Sequence, residues 1–190
     1  MELSITILNT GAQPKTLPQN ITYIQASATD LPFLDGSFDV IFSNSMIEHL
    51  HDQASQEAFA REARRVGTGR MWVQTPARWF PIEPHLLTPF IHYLPKRVQR
   101  RLLRNFTLWG LITRPEQSYV DQFLDEIRLL SARAMRDLFP DCELRRERFL
   151  GLTKSLISVR SALDSGQATN GPTPASPTAA TPRQRKPKAT

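Results

Sequence analysis

Cysteine is almost missing from this 190-residue chain: Cys142 stands alone, which excludes an internal disulfide and a cysteine-built metal centre. No apolar run approaches the roughly 18 residues of a membrane span, and Met1 to Leu17 has neither the basic start nor the apolar segment of a signal peptide. A cytoplasmic location is expected. The eight glycines are scattered, and none is expected to build the glycine-rich loop by which a nucleotide-binding sheet approaches its ligand. Acid is scarce between residues 61 and 104, where ten Lys and Arg face only Glu62 and Glu83. It is absent from the last 26 residues, which carry Arg183, Arg185, Lys186 and Lys188 and no large aliphatic or aromatic side chain. Such a segment buries too little surface to offset its ordering entropy, so residues 164–190 are expected to be a disordered basic tail rich in Pro, Thr and Ala. The remaining residues 1–163 suffice for one packed domain.

What is present is organised around Ile21 to Leu50, ITYIQASATDLPFLDGSFDVIFSNSMIEHL. Ile21 to Ala26 mixes β-branched and aromatic residues as a strand does, and Phe38 to Ser43 is an apolar run short enough for a buried parallel strand. Between them Leu31, Pro32, Phe33 and Asp35-Gly36-Ser37 predict a loop with a tight turn. Leu3 to Leu8 predicts an earlier strand. Further on, Asp52 is placed to cap a helix whose inner face holds Phe59, Ala63 and Val66 and whose stop is Gly67; Arg70 to Gln74 then predicts a strand ended by Pro76.

The block S-A-T-D-L-P-F-x-D-G-S-F-D-V-I-F-S-N-S resembles the centre of class I S-adenosylmethionine (SAM)-dependent methyltransferases of the type 11 group, over roughly residues 3 to 160. The resemblance implies an α/β, Rossmann-like sheet, mostly parallel with an antiparallel last strand. It also implies N-terminal truncation, because the family's first strand and its glycine-rich loop have no counterpart here, so the reading frame starts late or the chain is a shortened descendant. The implied cofactor is SAM. The implied reaction is methyl transfer to a small-molecule or lipid-linked acceptor, the protein mainly positioning the two reactants. The alternative is a noncatalytic remnant or partner-binding module. Nucleic-acid binding is disfavoured, since the aromatic residues sit in a Pro-rich segment rather than on a sheet face among arginines.

By position, the resemblance carries ribose contact to Asn9, adenine contact to Ser27 and Ala28, and further cofactor contact to Asn44 and Ser45. Asn9 and Ser27 are neutral where the family usually places an acid, so two charge-assisted bonds are missing; Asn9 also reads as a turn residue satisfying local backbone. His49 is a candidate general base, its ordinary pKa of about 6.5 suiting proton removal near neutrality, or else a residue that shapes the pocket wall. Glu83 and His85, in an E-P-H triplet, are candidates for acceptor binding or deprotonation, or for a pair that fixes the loop. No metal is expected, as His49 and His51 are two apart and no ligand cluster accompanies them.

Residues 76–129 read as a cap. Pro76, Pro81, Pro84, Pro89 and Pro95 break regular structure among Trp79, Phe80, Phe90 and Tyr93. Pro95 then opens an amphipathic helix with Val98, Leu102, Phe106 and Trp109 on one face and Lys96, Arg97, Arg100, Arg101 and Arg104 over the rest. Such a helix packs its stripe on its own domain or makes peripheral membrane contact, here through residues 95–109. Thr113 and Glu116 predict a capping box for the next helix. Ser131 to Phe139 predicts a short helix, and Cys142 to Phe149 and Ser155 to Arg160 predict two strands joined around Gly151.

Overall fold

A computed structural model describes residues 3–83 and 88–161; His85 and the tail expected at 164–190 lie outside the described residues. In chain order the strands β1 (Ile5–Asn9), β2 (Ile21–Gln25) and β3 (Phe38–Asn44) lead through a 3-10 turn at Ile47–His49 to helix α1 (Gln53–Val66) and strand β4 (Gly67–Pro76). A short hairpin, β5 (Ile82–Glu83) and β6 (Thr88–Pro89), precedes α2 (Lys96–Phe106), α3 (Leu108–Thr113), α4 (Gln117–Glu126) and α5 (Ala132–Leu138). β7 (Glu143–Phe149) and β8 (Leu152–Arg160) are the last described strands.

β3 and β4 pair in parallel, and β4, β8 and β7 follow in that order with β8 antiparallel to both neighbours. This is an α/β Rossmann-like arrangement with a reversed last strand. One feature departs from the expectation of a single sheet. β1 and β2 pair in parallel with each other, from Ile5 opposite Ile21 to Asn9 opposite Gln25, and form a separate sheet. Strands join only through backbone edges, and among the described residues none lies between β1 and β3, so each ends its sheet with an open edge.

The core lies on one face of β4, where α1 and α5 bury Phe59, Ala63, Met135 and Phe139 against Met71 and Val73. α1 begins as its sequence predicts: the Asp52 carboxylate accepts from the Ser55 N–H at 2.7 Å, and those bonds hold its carboxyl below the usual range. α1 runs straight into β4 through Gly67-Thr68-Gly69, a G-x-G spacing that is not a ligand loop. It sits at the amino end of the strand, where a side chain on Gly69 would bring a Cβ within 2.5 Å of the Asp39 carbonyl, so its glycines serve strand packing. Arg160 seals this end by donating to the Gly69 and Gly67 carbonyls at 2.8 Å and to Asp141 at 2.7 Å.

A smaller cluster of Leu31, Phe33 and Val66, joined by Leu8, Ile24, Phe38 and Ile41, connects the two sheets. Arg65 holds it in place. Its guanidinium donates to Glu62 at 2.7 and 2.9 Å and to the carbonyls of Phe33 and Leu31 at 2.8 and 3.0 Å, and reaches Asp35 at 2.7 Å. Glu62 in turn accepts from the Leu31 N–H at 2.9 Å.

Between β4 and α5 the helices have their own cluster of Ile91, Leu103, Val120 and Leu124. Two expectations fail here. The inner face of α2 is Gln99 and Leu103, with Leu102 half-buried, whereas Val98 and Phe106 are exposed. Packing against α4 turns the helix one position round from the stripe that hydropathy picks out, and the buried Gln99 amide donates to the Leu94 carbonyl at 2.7 Å. The capping box also fails: Thr113 ends α3 and donates its hydroxyl to the Trp109 carbonyl at 2.8 Å, and Glu116 makes no side-chain cap.

Cys142 lies against Met71, sulfur to sulfur 3.9 Å, and burial, helped by the nearby Asp141 carboxylate, pushes its thiol up to about 11. At pH 8 that depletes the thiolate by roughly a hundredfold relative to an ordinary cysteine, offset in part by the greater nucleophilicity of a more basic thiolate. Cys142 is expected to react with a chromogenic disulfide reagent at least about tenfold more slowly than free cysteine, the rate still climbing above pH 9. Reactivity equal to that of free cysteine would contradict this environment.

Candidate functional site

A cavity of about 730 Å³ opens between the two sheets, bounded by β1 on one side and β3 on the other. Its size suits a ligand of nucleoside dimensions. At the carboxyl ends of the parallel strands its rim is Asn9 and Thr10 after β1, Ser27, Ala28 and Thr29 after β2, and Asn44 at the end of β3. Open α/β sheets hold ligands at this end. Its floor is the connecting cluster, Leu31, Phe33 and Val66, and His49, Leu50 and His51 close it from the turn beyond β3.

Five of the residues singled out in the sequence, Asn9, Ser27, Ala28, Asn44 and His49, therefore line one cavity although they come from four segments. Asn9 is engaged locally: its Oδ1 accepts from the Gly11 N–H at 3.0 Å. Ser27 does likewise, its Oγ accepting from the Thr29 N–H at 3.2 Å and sharing a hydrogen bond with the Thr29 hydroxyl at 2.7 Å. Both side chains are turn-formers that keep further hydrogen-bonding capacity toward the cavity. Ser45 stands beside the cavity rather than in its wall. It has a positive φ of 51°, donates its N–H to the Gln74 carbonyl at 3.0 Å, and so turns the chain out of β3. Glu83 belongs to the β5–β6 hairpin.

Two buried groups escaped the sequence reading. Ser43 lines the cavity with a buried hydroxyl that has no hydrogen-bond partner among the described residues. A buried polar group without a partner costs free energy, so Ser43 is a local weak point in the packing of β3. Its only signal in the sequence is a hydroxyl in an otherwise apolar strand. Glu48, next to the histidine that drew attention, is fully buried; one carboxylate oxygen accepts from the Thr75 hydroxyl at 2.9 Å and the other has no partner among the described residues.

This turn is tied to the helical segment. The Arg128 N–H donates to the Glu48 carbonyl at 2.7 Å, and the Gln56 amide of α1 donates to the carbonyls of Ile47 and Arg128 at 3.1 and 3.2 Å. On the far side of Arg128 lies a second cavity of about 530 Å³, with Arg78, Trp79, Tyr93, Lys96 and Leu124 in its wall. The Arg78 guanidinium sits 5.4 Å from the Trp79 ring centre, and the Tyr93 hydroxyl, its acidity weakened by burial, donates to the Trp79 carbonyl at 2.8 Å. Among the described residues no group of three or more His, Cys, Asp or Glu could hold a metal ion.

The donor set fits SAM in shape and neutral hydrogen bonding. Asn9, Thr10, Ser27 and Asn44 offer amide and hydroxyl groups for ribose and purine, and the apolar floor suits the adenine ring, but no carboxylate among the described residues lines the cavity.

Residues 2–69 match the family model of a methyltransferase domain. Two curated relatives, each described as a probable S-adenosylmethionine-dependent methyltransferase, from two strains of Mycobacterium tuberculosis, are 43% identical over 60 residues, which is 30% of this chain. The chain spans only 21% of the length of these relatives. A solved structure, a possible exported protein from Bordetella parapertussis, aligns with a TM-score of 0.45 and 17% identity over 75% of this chain and 45% of its own. That likeness is too loose to bear on function.

Proposed function

We propose, from the premise that residues 2–69 belong to the class I S-adenosylmethionine-dependent methyltransferases, that the cavity between β1 and β3 holds the cofactor and that the chain takes part in methyl transfer. SAM, when bound, supplies an activated methyl group. The chain's own residues bind and orient: Asn9 and Thr10 take the ribose hydroxyls, Ser27 and the backbone at Ala28 take the adenine edge, and Ser43 and Asn44 complete the polar lining. The observation that carries this reading is the meeting of Asn9, Thr10, Ser27, Ala28 and Asn44 around one cavity at the carboxyl ends of the strands.

The acceptor, in this reading, approaches from the side of His49 and meets the helical cap, residues 76–129, there; the Arg128 N–H bond to the Glu48 carbonyl and the second cavity support it. A small-molecule or lipid-linked acceptor suits the mixture of aromatic and cationic groups there, and peripheral membrane contact through residues 95–109 goes with a lipid-linked one. His49 removes or orients the acceptor proton, while Glu83 and His85 act on acceptor position. No helix among the described residues is long and apolar enough to cross a membrane.

That no carboxylate among the described residues lines the cavity favours a second reading, a methyltransferase-like module that keeps the fold without catalysis. Incubating the chain with methyl-labelled SAM and either a lipid extract or an aqueous metabolite extract separates the two. Label in one extract, lowered about tenfold by His49→Ala with SAM affinity kept within a few-fold, is the expected result. No transfer to either extract, with SAM binding intact, would leave the noncatalytic module.

A further inference from the structure

The corner formed by α2 and α3 carries the largest exposed apolar side chains of the helical segment. Phe106 is 74% exposed, Ile112 72%, Leu111 59% and Leu108 57%. Their orientation is set by packing. Gly110 presses on the last turn of α2 so closely that a Cβ there would overlap the carbonyls of Leu103 and Arg104, and Trp109 stacks on Tyr119 with ring centres 6.2 Å apart. With that side of α3 committed, Leu108, Leu111 and Ile112 share the opposite face, one helical turn across, and point away from the protein.

The charge beside them is of one sign. Lys96 and Arg100 are paired with Asp125 and Asp121 of α4, which leaves the outward stripe of α2, Arg97, Arg101 and Arg104, without an ion-pair partner among the described residues. These three recur at spacings of four and three, on the face turned from the cluster around Leu103.

We propose that this corner docks on an anionic lipid bilayer, the apolar residues of α3 and Phe106 entering the interface while the α2 arginines meet headgroup charge. The proposal deepens the membrane part of the reading above and moves the contact from the stripe of residues 95–109 to residues 106–112 flanked by arginine. A second copy of the chain would bring like charges together, and a nucleic acid would leave four large apolar side chains in water. An anionic bilayer satisfies both features at once.

The test is sedimentation of the full chain with phosphatidylcholine vesicles, with and without phosphatidylserine, in the absence of SAM. Binding is expected to be at least about tenfold stronger to the anionic vesicles and to fall with added salt. The pair Leu111→Asp with Ile112→Asp, and separately Arg101→Glu with Arg104→Glu, should each lower binding about tenfold with unchanged circular dichroism, since all four positions are exposed. The proposal is overturned if the wild type ignores anionic vesicles, or if the Asp pair binds as well as wild type, which would assign binding to the basic tail. It is equally overturned if the corner instead forms a dimer that the Asp pair dissociates and that binds no lipid. Because SAM is left out, these outcomes are independent of whether the cavity binds cofactor.

Discussion

Replacing Arg65 by alanine is expected to lower the stability of the chain by about 3 kcal/mol, because it removes one partner of a largely buried ion pair. Glu62 is 8% exposed and also accepts from the Leu31 N–H, so its carboxylate loses its closest cation in a place that water barely reaches. The same guanidinium also satisfies the Phe33 and Leu31 carbonyls, so three groups lose a bond at once. Its contact with Asp35 adds little, that carboxylate being 83% exposed in its side chain. For a domain of this size the loss corresponds to a fall in melting temperature of roughly 6–12 °C. Bonding to Glu62 first and Asp35 second pushes the guanidinium still further from neutrality, so the effect persists at every pH at which Glu62 is ionised. Arg65→Lys should recover only part of it, since one ammonium cannot reach acceptors on both Glu62 and the 31–35 loop. A change below about 3 °C on Arg65→Ala, read by thermal denaturation, would show that water replaces the guanidinium at little cost. The loop so anchored supplies Leu31 and Phe33 to the floor of the cavity, so weaker ligand binding should accompany the loss of stability.

The second large effect is a gain. With only neutral groups at the ends of β1 and β2, the chain is expected to bind SAM weakly, and the double change Asn9→Asp with Ser27→Asp is expected to tighten binding by roughly thirtyfold to a hundredfold. Each substitution turns a neutral hydrogen bond, worth about 1 kcal/mol, into a charge-assisted one of about 1.5 to 3 kcal/mol, so each site gains roughly 1 kcal/mol or a little more. The backbone should tolerate both. An aspartate at position 9 can still accept from the Gly11 N–H, and one at position 27 can still accept from the Thr29 N–H, each with a second oxygen left for the ligand. Calorimetric titration with SAM decides the matter. If the double variant binds no tighter than wild type while its melting temperature is unchanged, the ribose and adenine positions proposed here are misplaced.

Local pattern was enough for much of this protein. The strands at Ile5–Asn9, Ile21–Gln25 and Phe38–Asn44, the Asp52 cap of α1 and the hairpin turning at Gly151 all depend on side chains within a few residues of one another, and the sequence alone determined them. The family resemblance carried Asn9, Ser27, Ala28 and Asn44 to one site, and these residues, with His49, line one cavity, because parallel strands bring their carboxyl ends to one edge. What depended on partners far along the chain was decided only in three dimensions. Arg65 draws its meaning from Leu31 to Asp35, some thirty positions earlier, and no local period announces it. The unmet hydroxyl of Ser43 and the buried carboxylate of Glu48 are visible only once burial and partners are known. Hydropathy placed Phe106 inside α2, yet Gln99 and Leu103 face the cluster, since the contact with α4 and the close approach at Gly110 set the helix's rotation. The division of the strands into two sheets is likewise beyond composition and period, because strand pairing is made by backbone edges that every sequence shares, and only the tertiary arrangement says which edges meet.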